Sequence, residues 1–377
     1  MDFSGIRIDK ALYRNLLQYM SDSEVEEVFK RVRTPPARYY IRVNTAKIRP
    51  EDLAKRLSKY FEVHRDEHLR EALWMPVLGP REVPEVDRKV VADKRAAESV
   101  YMGSDLYAPG VLKASGVRAG DEVNIVSPDG RVVAYGIAEM DGHDMLKLRR
   151  GLAVRVLRSV YSAPKLRNLW EYEEGLFYDQ SMPAMWVGAV AAALGARSVV
   201  DLNAAPGGKA THAAQMGIRV IAFDRSRQKA KKILENIERL GLDIDVLVHD
   251  SRFLDRDFPR LRADVAFVDP PCSDLGVRPK LYQTVTIEDV DKLAKYQRQF
   301  LSTALKIADY VVYSTCTLTF SENEGNVLWA VEELGAEVID VEVPPAAGGW
   351  ECAGCKRFMP HIQDTPGFFL AVLRRRP

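Results

Sequence analysis

Two cysteines in this chain sit where a side chain could do chemistry. "DPPC" at 269–272 follows the apolar run "ADVAFV", and "STC" at 314–316 follows "DYVVY", so each thiol lies just past an expected strand. A lone cysteine is most often a small buried hydrophobe. Two at neighbouring strand ends, one of them behind the carboxylate of Asp269, point to nucleophilic chemistry instead. The set suits methyl transfer to carbon 5 of a pyrimidine. That carbon is a poor nucleophile until a thiolate adds at carbon 6 and makes the ring enamine-like. An acid near N3 stabilises the adduct, and a base must afterwards remove the carbon-5 proton so that sulfur can leave. Either thiol could attack; the residues alone leave the order open.

A methyl donor needs its own site, and "VVDLNAAPGGKATHAAQMG" runs from strand through glycine turn to helix. Gly207 and Gly208 let the backbone approach a ligand at the carboxyl end of the first strand. The turn lacks the GxGxxG spacing of a dinucleotide site, and Lys209 is not followed by Ser or Thr as in a phosphate-binding loop. The next strand, "VIAFD", ends on Asp224, where an acid takes the hydroxyls of a ribose. "IDVLVHD" ends on Asp250, which could accept from an adenine amino group. One strand-end acid is usually a helix cap. Asp224, Asp250 and Asp269 on successive strands describe a nucleoside site without a phosphate cradle, which suits S-adenosylmethionine better than a dinucleotide.

Those strand ends must be held by a sheet. From 164 to 377, apolar and β-branched runs alternate with helical stretches such as "SRQKAKKILENIERLG", the pattern of a mostly parallel sheet covered on both faces. The expected fold is therefore an α/β, Rossmann-like catalytic domain over 164–377. From 89 to 163 the chain turns to short strands separated by turns. "GDEVNIVSPDGRVVAYGIAEM" alternates apolar and polar residues around Asp129-Gly130, a hairpin signal, and predicts a small β-barrel. From 1 to 88 the reading is α+β. Ser21 and Glu24 have capping-box spacing, "RYYIRVNT" reads as a strand, and Pro50 opens a second helix.

Bulk composition sets limits. A chain of 377 residues is expected to hold two or three domains, and 47% hydrophobic with 28% charged residues describes a globular protein. No apolar run approaches the roughly 20 residues of a membrane span. The acidic, polar start predicts no signal peptide, and four cysteines are too few for a disulfide framework. A reducing cytoplasm is the expected compartment, and no segment demands an obligate protein partner. With 54 Lys+Arg against 53 Asp+Glu, any nucleic acid must bind a local basic patch.

At "NAAPGGKATH", "DPPCSDLGVRP", "YSTCTLTFSENE" and "RFMPHIQDTPGFFLAVL" the chain resembles the NSUN-type RNA cytosine-5 methyltransferases, and the likeness extends upstream to "YYIRVNT" and "GLFYDQSMPAM". The resemblance implies that Cys316 is the nucleophile and that Cys272 assists product release. It implies that Asn203, Ala204, Ala205, Pro206, Gly207, Gly208 and Lys209, with Asp224, Lys229, Asp250 and Asp269, line the donor site. Lys209 and Asp269 would also face the target cytosine. Two departures stand out: Asn203 replaces a cysteine, and Asp274 replaces the glycine usual after Pro-Cys-Ser. The second bears on how the loop approaches RNA.

The middle segment resembles a PUA domain, a module that binds structured RNA by shape and backbone, with Lys94, Arg95 and Lys113 as candidate phosphate contacts. A PUA domain ahead of the catalytic domain resembles one NSUN subgroup that methylates cytidine 72 in the tRNA acceptor stem. tRNA is accordingly the expected partner. The alternatives are ribosomal RNA cytosine-5 methylation and, in another class, a non-catalytic RNA-binding protein on a methyltransferase fold. Cys352 and Cys355, in "CAGC", read as a surface disulfide or plain thiols rather than a metal site.

Overall fold

In the computed structural model, which describes residues 1–375, the β-branched runs of the C-terminal segment form one sheet. Its principal strands are β1 (Ser198–Asp201), β2 (Arg219–Asp224), β3 (Asp245–Val248), β4 (Ala263–Val268), β5 (Ala308–Thr315) and β6 (Phe368–Arg375). They lie in the order β3-β2-β1-β4-β5-β6, the first five parallel and β6 antiparallel to β5. Strands Ala336–Ile339 and Lys356–Phe358 also pair with β6. The chain reverses its direction of travel across the sheet between β1 and β4. Open α/β sheets bind ligands at the carboxyl edge of such a switch point.

Period-two alternation splits the sheet's side chains between two cores. Val199, Val265, Phe267 and Val312 pack under helices Met182–Ala193 and Gly208–Gln215. Val200, Ala266, Val268, Val311 and Tyr313 pack on the other face with Phe300, Leu301 and Ala304 of helix Ile287–Ile307. Covering both faces is what allows the strands to be apolar throughout.

The middle segment forms a six-stranded sheet. Its two edge strands, Leu106–Tyr107 and Val111–Lys113, are separated in sequence only by the turn Ala108–Gly110. The sheet therefore curls until its edges meet, as a small barrel requires. The expected hairpin joins Glu122–Val126 to Val132–Ala138, with Gly130 at φ +86°. Helix Lys94–Tyr101 packs on this barrel, and the catalytic segment contributes the fully buried Leu281 to its core, with Tyr282 packed against it.

The segment 1–88 is α+β, and the Ser21–Glu24 capping box closes at the start of helix Asp22–Val32. Its strands, however, are shared out between two sheets that the catalytic segment completes. Ile6–Ile8 pairs in parallel with Gln283–Val285, and Leu12, Val28 and Phe29 pack with Leu275 and Leu318 beside the two cysteine loops. Arg38–Val43 pairs on one side with Ala72–Pro76 and on the other with Phe177–Asp179.

Arg42 locks the second of these sheets to the catalytic domain. Its side chain is fully buried and donates to Gln215 Oε1 (3.0 Å), Thr211 Oγ1 (2.9 Å), the Gly208 carbonyl (2.5 Å) and Gln180. Burial lowers its pKa to about 9, so it stays charged at neutral pH. Replacing Arg42 by Ala leaves these acceptors without a donor in a dry site, and about 3 kcal/mol of stability is expected to go. Urea unfolding monitored by circular dichroism measures this; an unchanged midpoint would remove Arg42 as the fastening.

Candidate active site

Both thiol loops leave the carboxyl edge of the sheet from adjacent strands, since β4 and β5 pair directly through Val268 and Tyr313. Pro270, buried, and Pro271, exposed, carry no N–H to satisfy, which suits a turn leaving the sheet. The Pro271 carbonyl accepts from Gln297 Nε2 (2.9 Å). Beyond Cys272, the Ser273 backbone N–H and hydroxyl donate to the two carboxylate oxygens of Glu322 (2.9 and 2.5 Å). Glu322 belongs to the other loop, downstream of Cys316, and also accepts from Thr319 (2.8 Å) and Gln297 (3.0 Å). Gly276 N–H donates to the Cys316 carbonyl (3.0 Å). At Gly276 an added Cβ would lie 2.5 Å from the Gly367 carbonyl oxygen, so only glycine lets the backbones approach this closely.

These ties bring Cys272 Sγ and Cys316 Sγ to 3.1 Å. Asp274 Oδ1 accepts from both, at 3.3 Å from Cys272 and 3.0 Å from Cys316. The Cys316 thiol is pushed well above the usual range by its hydrogen bond with Cys272, then by burial and the nearby charges of Asp274 and Asp269. For Cys272, the hydrogen bond with Cys316 lowers the pKa; burial and the charges of Asp274 and Glu322 outweigh it and raise the thiol.

The glycine turn meets this pair through Lys209. Gly207, at φ +108°, caps helix Gly208–Gln215, and Lys209 in its first turn reaches Asp269 Oδ2 at 2.6 Å. Ser314 donates to the other Asp269 oxygen at 2.8 Å. Burial alone would lower the lysine pKa; the Asp269 carboxylate outweighs it and raises it, so the amine is a cation. Along the same edge, Asn203 N–H donates to Asp201 Oδ1 (3.1 Å) and Ala204 N–H to the Phe223 carbonyl (3.0 Å). Pro206 offers its carbonyl to Asn236 (2.9 Å). Asp201 Oδ2 and Asn203 Oδ1 are buried with no hydrogen-bond partner, and burial raises Asp201 to a pKa of about 7.

The structure thus draws Cys272, Cys316, Asp269 and Lys209 together, with residues 203–209 behind them. Asp224 ends β2, mostly buried, with Oδ1 accepting the Ser226 N–H (2.9 Å). Asp250 lies past the end of β3, and both its oxygens are engaged by Arg252 (2.9 and 2.6 Å), whose hydrogen bonds lower its pKa. Lys229 stands exposed in the first turn of helix Arg227–Leu240. Among the described residues, the three barrel residues make no hydrogen bond to the thiol site. Lys94 sits over the Tyr282 ring at 5.3 Å, while Arg95 and Lys113 are exposed.

Sequence reasoning missed Glu322, Asp274 as a thiol partner, and Glu98, which accepts from Leu281 N–H (3.1 Å) and docks the barrel on the segment leaving the Cys272 loop. The run "SENE" and the departure at Asp274 were the available signals. Cys352 and Cys355 form a disulfide, and it is buried rather than on the surface, because both side chains pack into the core under helix Glu324–Leu334. Among the described residues no helix is long and apolar enough to cross a membrane.

Comparison with known proteins follows the same division. A family model described as 16S rRNA methyltransferase RsmB/F matches residues 192–374, and a PUA domain model matches 88–160. A tRNA (cytosine(72)-C(5))-methyltransferase of Pyrococcus horikoshii is 40% identical, covering 96% of this chain and 95% of its own. The chain belongs to the tRNA (cytosine(72)-C(5))-methyltransferase family. A further relative is the human tRNA (cytosine(72)-C(5))-methyltransferase NSUN6, 28% identical over 97% of this chain and 89% of its own. The crystal structure of NSun6 from Pyrococcus horikoshii with SFG, an S-adenosylmethionine analogue, superposes with a TM-score of 0.90 at 39% identity, over 98% of each chain. This tRNA cytosine-5 methyltransferase fold is thus shared along its whole length, PUA domain included.

Raised thiol pKa values have a direct consequence. Cys352 and Cys355 are oxidised, so iodoacetamide has two free thiols to find. Only the thiolate reacts, so the alkylation rate is expected to keep climbing about tenfold per pH unit beyond pH 9, where an ordinary cysteine of pKa ~8.5 has levelled off. A plateau by pH 8 would show that neither thiol is raised in this site.

Proposed function

We propose that this chain methylates carbon 5 of cytidine 72 in the acceptor stem of tRNA, using S-adenosylmethionine, with Cys316 as the attacking thiol. One observation carries the chemistry: two thiols 3.1 Å apart beside the Lys209–Asp269 pair, at the edge of the sheet where the glycine turn lies. Cys316 is assigned the bond to carbon 6. The Lys209–Asp269 pair is placed to hold the ring's N3 edge, where the electron pair displaced by the attack accumulates. Cys272 then helps the carbon-5 proton leave, so that the Cys316–carbon 6 bond can break.

The donor end suits the cofactor. Buried Asp201 Oδ2 and Asn203 Oδ1, lacking donors of their own, fit a ligand that brings an ammonium group. Asp224 is assigned the ribose hydroxyls, and Asp250 has further lone pairs to offer an adenine amino group. Residues 204–208 supply backbone, and Lys229 closes the rim. When bound, S-adenosylmethionine supplies the electrophilic methyl group.

The substrate reading rests on the barrel. A cleft of about 970 Å³ runs between it and the catalytic domain, where Arg38, Arg95, Lys165, Arg167 and Arg278 alternate with Glu98, Asp105, Asp179 and Asp364. Lys165, Arg167 and Arg278 are paired with three of these acids, so Arg38 and Arg95, with Lys94 and Lys113 on the barrel, are the groups assigned to a nucleic-acid backbone. The acceptor end would lie there, with its target base unstacked to reach Cys316. Likeness over the full chain favours tRNA over ribosomal RNA as substrate. The thiol pair, fastened by Glu322, is poorly explained by RNA binding alone.

A denaturing gel of both cysteine variants with labelled tRNA and S-adenosylmethionine tests the division of labour. Cys316→Ala is expected to give neither methylation nor adduct. Cys272→Ala is expected to accumulate a protein–RNA species, because sulfur cannot leave until the carbon-5 proton does. Adduct in the first variant and none in the second would reverse the roles.

A further inference from the structure

Asp274 is unlike the rest of the site. It is an exposed acid between the buried Ser273 and Leu275, and it has a left-handed backbone, φ +57°. Glycine, asparagine and aspartate adopt that conformation most readily. The turn is built to hold it. Lys280, itself buried, donates Nζ–H to the Asp274 carbonyl (2.6 Å), and Gln283 donates to the Ser273 carbonyl (2.6 Å). Anchored at both peptides, the side chain places a single oxygen against both sulfurs, 3.0 Å from Cys316 and 3.3 Å from Cys272.

The reaction assigned above has a proton to place at that point. Cys316 rests as a thiol, and its S–H must break as sulfur attacks. Asp269 is poorly free to accept, because Lys209 occupies one of its oxygens and Ser314 the other. Glu322 is filled by Ser273, Thr319 and Gln297. The other titratable groups facing the pair, Lys209 and Lys280, are amines that donate to Asp269 and to the Asp274 carbonyl. Asp274 Oδ1 is the carboxylate oxygen already hydrogen-bonded to the nucleophile.

Resting on the reading of Cys316 as nucleophile, we propose that Asp274 is a catalytic residue of this chain, the base that takes the Cys316 proton as the sulfur–carbon 6 bond forms and returns it as that bond breaks. In the first step S–H breaks, S–C6 forms, the C5=C6 π pair moves toward carbon 5, and the proton rests on Asp274 Oδ1. In the last step C5–H breaks and its pair re-forms C5=C6. The S–C6 pair returns to sulfur, which recovers the proton from Asp274. The carbon-5 proton passes through Cys272, which accepts it while releasing its own to water. The net proton released is the one from carbon 5, and the exposed position of Asp274 leaves the store in contact with solvent.

The test uses the full chain with tRNA carrying 5-fluorocytidine at the target, whose fluorine cannot leave as a proton, so that the adduct persists on a denaturing gel. Adduct formation is timed from pH 6 to pH 10 for the wild type, Asp274→Asn and Asp274→Gly; both replacements tolerate the left-handed backbone. Binding of S-adenosylmethionine and tRNA by calorimetry is expected to stay within about twofold of wild type, showing that the variants are folded. Loss of a general base costs about a hundredfold or more, so both variants are expected to form adduct about a hundredfold more slowly at pH 7. The deficit should shrink about tenfold per pH unit in the alkaline range, as the thiol ionises without help. Wild-type speed at pH 7, a faster rate from a thiol freed of a neighbouring charge, or a deficit equal at every pH would each overturn the proposal. No adduct with the wild type itself would overturn the nucleophile reading, and this proposal with it.

Discussion

The two thiol loops are held together by one buried carboxylate. Glu322 sits downstream of Cys316, yet the groups it satisfies include the backbone and hydroxyl of Ser273, next to Cys272. Burial raises its pKa, and the hydrogen bonds from Ser273, Thr319 and Gln297 offset part of that cost. An ionised carboxylate in such a place is tolerable only when its lone pairs are filled, and here they are filled by both loops at once. The 3.1 Å thiol separation, the Gly276–Cys316 hydrogen bond and the position of Asp274 all presuppose this clamp.

A second constraint acts at right angles to the first. Adjacent parallel strands deliver their loops to the same edge of the sheet, so pairing β4 with β5 places Cys272 and Cys316 side by side, and pairing β4 with β1 places the glycine turn next to Asp269. Lys209 spans the gap. It belongs to the donor turn by sequence and to the thiol site by contact, so donor and acceptor halves share one ion pair. Buried Arg42 and the shared strand Phe177–Asp179 then fix the same helix to the N-terminal segment.

Local features of this fold were legible in the sequence. The Ser21 cap, the Asp129-Gly130 hairpin and the strand ends carrying Asp224, Asp269 and the two cysteines each depend on residues close in the chain. What was hidden depends on distant pairing. Nothing near Ile6 announces that it will pair with Gln283, nor near Leu281 that it will enter the barrel's core. Glu322 and Glu324 stand two apart in "SENE" and look like solvated charge, yet each is fully buried, one on Ser273 and the other on Arg357. Asp250 shows the reverse: Arg252, its partner, was two residues away and in plain view.

Position and chemistry together make the central claim: a cytidine of the tRNA acceptor stem is methylated at carbon 5 by this chain. Bisulfite sequencing of unmodified tRNA transcripts, incubated with the purified protein and S-adenosylmethionine, reads both at once. Protection from conversion is expected at cytidine 72 with the wild type and nowhere with Cys316→Ala. Full conversion at that position, or protection elsewhere in the tRNA, would contradict the account.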